Sequence, residues 1–294
     1  MASSPTPPPP GDPIGAQPDR QVCVRHPGRV TALRCSRCDR PSCPDCLREA
    51  SVGHQCVDCV MEGNRTTRTA RTVAGAEDNP RRMVVAPVLI ALNAVAFLVT
   101  AGQAGSAVDL RGSQLYADFV MWPIGVYFGE WWRLVASGFL HNDPLHLLLN
   151  MAALYVLGQL LEPVFGRTRF LAVYLLSLLG GSVAVYLFDS VDRPVAGASG
   201  AIYGLLGALL VTQLKLRANL TPVLMVLGVN VVFSFTVANI SWLGHLGGLF
   251  VGAAMAAALV YAPKPGRVFW QAGAVVAALL VLVLLVVTRT ALLG

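Results

Sequence analysis

Charge is scarce in this sequence. Of its 294 residues, 13 % are Asp, Glu, Lys or Arg, about half the share usual in a soluble domain. With 55 % hydrophobic residues and a mean hydropathy of +0.60, that shortage excludes a wholly water-soluble globule. The start of the chain lacks the basic-then-apolar pattern of a cleavable signal peptide, so targeting is expected to come from the first membrane helix. No basic stripe interleaved with aromatic or amide readers accompanies the net charge of +6, so nucleic acid is not an expected partner. No motif repeats between the two halves, which argues against a transporter built from repeats.

What is present is unevenly spread. Residues 1–82 hold 12 of the 22 basic residues and all seven cysteines, and the rest is long apolar runs broken by short polar stretches. The expected architecture is an all-α polytopic membrane protein preceded by a small metal-stapled domain. Residues 1–20, with Pro5, Pro7, Pro8, Pro9, Pro10, Pro13 and Pro18, bury too little apolar surface to offset ordering and read as a disordered tail. A cysteine-rich domain is expected over 21–62, a basic linker over 63–82, six helices over 83–262 and a seventh over 263–294.

The cysteines fall in pairs: Cys23-x2-His26, Cys35-x2-Cys38, Cys43-x2-Cys46 and Cys56-x2-Cys59. A two-residue spacer lets both side chains of a tight turn bind one tetrahedral ion. Four pairs give eight ligands, enough for two structural Zn2+ sites. His26 removes the oddity of seven cysteines, and His54 is a further candidate ligand. The spacing alone permits sequential or crossed pairing, and a redox dithiol is the rival reading. Four-ligand sites keep no open position for catalysis, so the module is expected to be structural or to bind a cytosolic partner. It resembles a B-box-type module, which implies a cross-brace: Cys23, His26, Cys43 and Cys46 on one ion, Cys35, Cys38, Cys56 and Cys59 on the other.

A membrane-crossing helix needs about 20 apolar residues. Candidate spans lie at about 83–101, 145–162, 168–188, 199–214, 219–238, 243–261 and 268–291. With the N-terminus inside, cytoplasmic flanks hold Arg81, Arg82, Arg167, Arg169, Lys215, Arg217, Lys264 and Arg267, against Arg111, Arg133, Arg193 and Arg289 outside. The excess favours a cytoplasmic N-terminus and keeps the thiolates in a reducing compartment. The loop at about 102–144 carries Trp122, Trp131, Trp132, Phe128 and Phe139 among other aromatics, and rings of this kind prefer the membrane interface.

Polar residues inside apolar spans are costly and point to function. Gly197-Ala198-Ser199-Gly200 opens the fourth span, with Tyr203 one turn on; an open hydroxyl beside free backbone N–H groups suits a nucleophile, a plain helix cap being the bland alternative. His245 lies within a stripe of Gly244, Gly248 and Gly252 that permits close helix approach, and Gly200 and Gly204 offer a matching step. A lone membrane histidine is often only packed; beside such a serine it becomes a candidate base. His146 and Asn150 share one face of the second span and can donate to an oxyanion or glue helices together.

Taken in order, Trp132-Arg133, His146-x3-Asn150, Gly197-Ala198-Ser199-Gly200 with Tyr203, and Gly244-His245-x2-Gly248-x3-Gly252 resemble the rhomboid family of intramembrane serine proteases over about residues 83–262. An N-terminal zinc module and a seventh helix resemble some bacterial, actinobacterial members. The resemblance implies a six-helix core plus a C-terminal helix in the bacterial cytoplasmic membrane; seven spans with the N-terminus inside would put the C-terminus outside. It implies a Ser199–His245 dyad without a catalytic cofactor; no acidic residue sits in or beside the sixth span. It implies an oxyanion hole of His146, Asn150 and the Ser199 N–H, with Gly197 of the nucleophile motif as a supporting residue. Tyr203 would orient His245, Arg133 would organise the first loop, His141 would stabilise it, and Glu162 would be a structural carboxylate. Substrates would be transmembrane segments cut near the outer surface of the bilayer. The rival expectation is a non-catalytic relative that binds and chaperones such segments.

Overall fold

A computed structural model describes residues 21–66, 70–77, 83–236 and 241–294, and the chain divides into two units, Met1–Thr69 and Ala70–Gly294. The proline-rich tail, Arg68, Arg81, Arg82 and residues 239–240 of the loop before the sixth span lie outside the described residues.

The first unit is built from two antiparallel ribbons. Strand β1 (Val22–Cys23) pairs with β2 (His26–Val30), and β3 (Leu47–Glu49) pairs with β4 (His54–Cys56), which runs into helix α1 (Val57–Thr66). The buried side chains of residues 21–66 are six cysteines, Leu47, Thr31 and Ser42. Val22, Val24, Val30, Leu33 and Val52 are exposed. Ribbons this short do not stand on apolar burial. All seven cysteines are free.

The second unit begins with residues 70–77, where the sequence suggested only linker. The Thr72 hydroxyl donates to the Val164 carbonyl (2.6 Å). Buried Gln271 donates to the carbonyls of Ala74 (2.9 Å) and Leu259 (2.8 Å) and accepts from Arg169 Nε (2.7 Å).

Among the described residues, six helices are long and apolar enough to cross a membrane: α2 (Val85–Ala104), then α6 (Pro144–Phe165), α7 (Arg167–Phe188), α8 (Ser199–Leu216), α10 (Trp242–Val260) and α11 (Arg267–Leu293). Between α2 and α6 lie three short helices, α3 (Gln114–Phe119), α4 (Pro123–Tyr127) and α5 (Arg133–Ala136). The seventh apolar helix, α9 (Thr221–Thr236), has 16 described residues, which rise about 24 Å, and residues 237–240 after it lie outside the described residues.

Helix α7 is the hub, with 67 % of its apolar stretch inside the protein against 11 % for α11. It packs on α8 and α10, which themselves make the most intimate pair in the unit. The sequence explains that intimacy. A Cβ on Gly248 would overlap the Gly200 carbonyl, and one on Gly252 would overlap the backbone of Gly204. Both helices carry glycine where their backbones cross. Glu162, 4 % exposed on α6, closes the start of α2: its carboxylate accepts from the N–H groups of Val84 (2.7 Å), Val85 (2.9 Å) and Ala86 (3.1 Å), donors that no helical carbonyl reaches.

Candidate active site and metal clusters

The first loop sets the frame of the site. Arg133, 4 % exposed, donates from Nη1 to the carbonyls of Ala117 (2.7 Å) and Val120 (2.9 Å) and from Nε to Glu130 (2.6 Å), drawing α3, α4 and α5 into one body. Met121 and Val195 exchange backbone hydrogen bonds (3.0 and 2.8 Å), and Gly197 N–H donates to the Ser137 carbonyl (3.1 Å). These clamp the segment that leads into α8. Trp131, Trp132 and Phe128 are exposed on the loop, as expected of interfacial rings.

Gly197 has φ +138°, a conformation that favours glycine, and a Cβ there would meet the His146 ring at 2.8–2.9 Å. The turn places Ser199 at the first position of α8, where the backbone N–H groups lack helical acceptors. Ser199 Oγ lies 2.8 Å from His245 Nε2, the side chains being separated by 46 positions in sequence and joined by the α8–α10 glycine contact. The Tyr203 ring stacks on the imidazole, centroids 4.1 Å apart and planes 13° from parallel. His245 and Tyr203 are buried and Ser199 is half-buried.

On the other side of the turn, His146 presents its ring to Gly197, and its backbone N–H is capped by Asp143 (2.8 Å). Asn150 spends one amide proton on the His146 carbonyl (2.8 Å), leaving the other for a ligand. His141 is fully buried and packs edge-on against His146 at 5.0 Å. Burial, with the neighbouring His146 adding to it, pushes the His141 pKa down to about 3, so this ring is neutral at physiological pH. A cavity of about 30 Å3, lined in part by Ser137, Ser182, Ser199 and His245, adjoins the pair and has room for about two water molecules.

One contact was not foreseen. Ser234 of α9, 5 % exposed, places its Oγ 2.7 Å from His245 Nδ1. Its only sequence signal is a hydroxyl in an apolar span, which is too common to single out.

In the first unit, Cys23, His26, Cys43 and Cys46 form one cluster and Cys35, Cys38, Cys56 and Cys59 the other, with ligand atoms within 4.8 Å of one another in each. His54 belongs to neither cluster. His26 Nδ1 lies 3.3, 3.4 and 3.9 Å from the sulfurs of Cys43, Cys46 and Cys23, and Cys38 Sγ lies 3.8 Å from Cys56 Sγ. A tetrahedron with metal–sulfur bonds of about 2.3 Å has edges of about 3.8 Å, so the donor sets fit a tetrahedral ion. The Cys43 backbone N–H is the main influence holding the Cys23 thiol down to about 6, whereas burial pushes Cys46 up to about 11.

A family model described as the Rhomboid domain matches residues 128–262. Over 170 residues the chain is 35 % identical to the putative rhomboid protease YdcA of Bacillus subtilis (strain 168), covering 56 % of this chain and 82 % of that relative. The chain belongs to the rhomboid family. It is also 43 % identical over 143 residues to rhomboid protease GluP of the same organism, covering 47 % of this chain and 28 % of GluP. With RHOMBOID-like protein 5 of Arabidopsis thaliana it shares 38 % identity over 147 residues, 48 % of each chain. The chain thus spans less than half the length of two of these three relatives. The rhomboid family match runs from the first loop past the end of α10, so the cysteine clusters and α11 lie outside it.

Proposed function

We propose that this rhomboid is an intramembrane serine endopeptidase in which Ser199 is the nucleophile and His245 its general base. The observation that carries the reading is the 2.8 Å contact between Ser199 Oγ and His245 Nε2 within a membrane-spanning unit. Serine is a weak nucleophile at neutral pH, and an imidazole in hydrogen-bond reach activates it.

The steps follow from the geometry. His245 Nε2 takes the Ser199 proton as Oγ bonds to the scissile carbonyl carbon. The C–N bond then breaks as His245 passes that proton to the leaving amine, leaving an acyl-enzyme. Water from the adjoining cavity gives its proton to His245 and attacks the ester; the proton returns to Ser199 Oγ as the acid product leaves. The oxyanion formed at each addition is met by the Ser199 backbone N–H, the His146 ring and the free Asn150 amide proton, preorganised donors of the kind that lower such barriers. Tyr203 holds the imidazole plane by stacking, and Arg133 acts at one remove by holding the first loop.

Substrates are transmembrane segments. A helical peptide bond is hidden from attack, so Gly, Pro or polar residues that loosen the helix near the cut are expected, with a small residue at the scissile position. The site lies near the outer surface of the bacterial cytoplasmic membrane, with the N-terminus inside and the C-terminus outside, by the arginine and lysine count of the flanks. Helix α9 moves to admit the substrate. The clusters of the first unit hold two structural Zn2+ ions and recruit a cytosolic protein; catalysis needs no cofactor.

The test is labelling of the purified protein by a serine-reactive fluorophosphonate together with cleavage of a model transmembrane substrate. Both are expected in the wild type and both fall by at least about 1,000-fold in Ser199→Ala and His245→Ala. A folded wild type that neither labels nor cleaves makes the protein a non-catalytic rhomboid that binds transmembrane helices.

A further inference from the structure

The imidazole of His245 is held from both ends. Nε2 faces Ser199, and Nδ1 faces Ser234 Oγ at 2.7 Å. Ser234 has a carbonyl for its own proton, that of Asn230 at 2.8 Å. The Tyr203 hydroxyl donates to the same carbonyl at 2.6 Å and also lies 2.6 Å from Ser234 Oγ. The residue that stacks on the imidazole and the residue that touches its far nitrogen are therefore joined at one backbone oxygen of α9.

A neutral imidazole carries one ring proton, and the hydrogen bond at one nitrogen decides the state of the other. For Nε2 to accept the Ser199 proton, the ring proton must sit on Nδ1. A Ser234 hydroxyl that gives its proton to the Asn230 carbonyl keeps its lone pairs for Nδ1–H. Without an acceptor there, a buried Nδ1–H would lose a hydrogen bond, and the ring would favour the tautomer with its proton on Nε2, which donates to Ser199 and is no base.

We propose that Ser234 is a positioning residue of this site, a third member behind the Ser199–His245 pair that fixes the catalytic tautomer of His245 from α9. This rests on the protease reading above. Its placement has a consequence. Of the described residues of α9, only Val223 and Ser234 are buried, so α9 is thinly seated beside the site. The base is correctly set only while α9 is in place, and a substrate that displaces α9 must let it return before cleavage.

The experiment combines kinetics with 15N spectroscopy of His245 in the full chain. In the wild type, Nδ1 is expected to bear the proton. Ser234→Ala is expected to lower kcat and the fluorophosphonate labelling rate by roughly tenfold or more, to change KM by less than twofold, and to shift the ring toward the Nε2–H tautomer. Ser234→Thr, which keeps a hydroxyl, restores kcat and tautomer. A wild-type ring protonated on Nε2, or a Ser234→Ala protein with unchanged tautomer and kcat, overturns the proposal while leaving proteolysis by Ser199 and His245 intact. Conversely, a wild type that does not label removes the protease reading, and the tautomer measurement still decides what Ser234 does. Should Ser234→Ala not fold, the wild-type tautomer and the Ser234→Thr kinetics carry the same decision.

Discussion

Residues 21–66 bury six cysteines, one leucine and two hydroxyl residues, whereas residues 70–294 bury a continuous apolar core running through α2, α6, α7, α8, α10 and α11. One unit is organised by ligand atoms that meet at two points, the other by helix surfaces shaved to glycine where they cross. The difference lies in what each unit can lose. A point-held unit depends on a few side chains wholly and on the others hardly at all. A surface-held unit tolerates most substitutions yet fails where a single methyl group separates two backbones.

Metal removal is the largest expected effect. Structural zinc sites contribute on the order of 10 kcal/mol or more to folding of small domains, and among the described residues of the first unit Leu47 is the one buried apolar side chain besides the cysteines. A strong chelator added to the full chain should abolish amide protection over residues 21–66 while protection in α7, α8 and α10 persists, read by hydrogen exchange with mass spectrometry. Reloading should release protons at pH 7. Burial raises the Cys46 thiol to about 11, and a hydrogen bond with Cys38 together with burial raises Cys59 to about 12, so both are protonated before the metal arrives. Apparent metal affinity should therefore fall as pH falls. Persistent protection of 21–66 after chelation would break the contrast between the units.

The second prediction concerns the glycine crossing. A side chain at Gly248 overlaps the Gly200 carbonyl one residue from the nucleophile. Gly248→Val should destabilise the membrane unit by about 1–3 kcal/mol and abolish fluorophosphonate labelling, because Ser199 and His245 are brought together by that contact. Gly273 of α11 has nothing within 4 Å of its Cβ position, and Gly273→Val should leave labelling unchanged. Thermal unfolding in micelles and labelling rate give the two readings. Equal effects at both positions would show that glycine content rather than the crossing matters.

The two units also differed in how much of them the sequence disclosed. Cys-x2-Cys and Cys-x2-His pairs place ligands on local turns, so the ligand set could be read at once. The crossed assignment, which rested on resemblance, is the grouping in which the ligand atoms meet. In the membrane unit, apolar length gave the spans and glycine spacing singled out α8 and α10, which put Ser199 and His245 in view. What stayed hidden depends on contacts between elements distant in sequence. Ser234 acquires meaning only because α9 packs beside His245. Gln271 has no local pattern, yet it ties residue 74, α7 and α10 together. The short helices α3, α4 and α5 are shaped by Arg133 donating to carbonyls 13 and 16 positions away, which no local periodicity encodes.

Glu162 lies between the two modes, a single side chain holding a surface-packed helix, and gives the smallest effect. Its carboxylate accepts three backbone N–H groups at the start of α2, a helix with only 28 % of its apolar stretch inside the protein. Charge-assisted bonds at a helix N-terminus contribute about 0.3–2 kcal/mol. Glu162→Gln keeps one acceptor oxygen, loses the charge and places amide protons opposite backbone donors. It should lower the thermal midpoint by a few degrees and leave the labelling rate of Ser199 within about twofold, since α2 contributes no residue to the dyad. A loss as large as that of Gly248→Val would mean that α2 is point-held like the metal unit, its apolar face adding little beyond the cap.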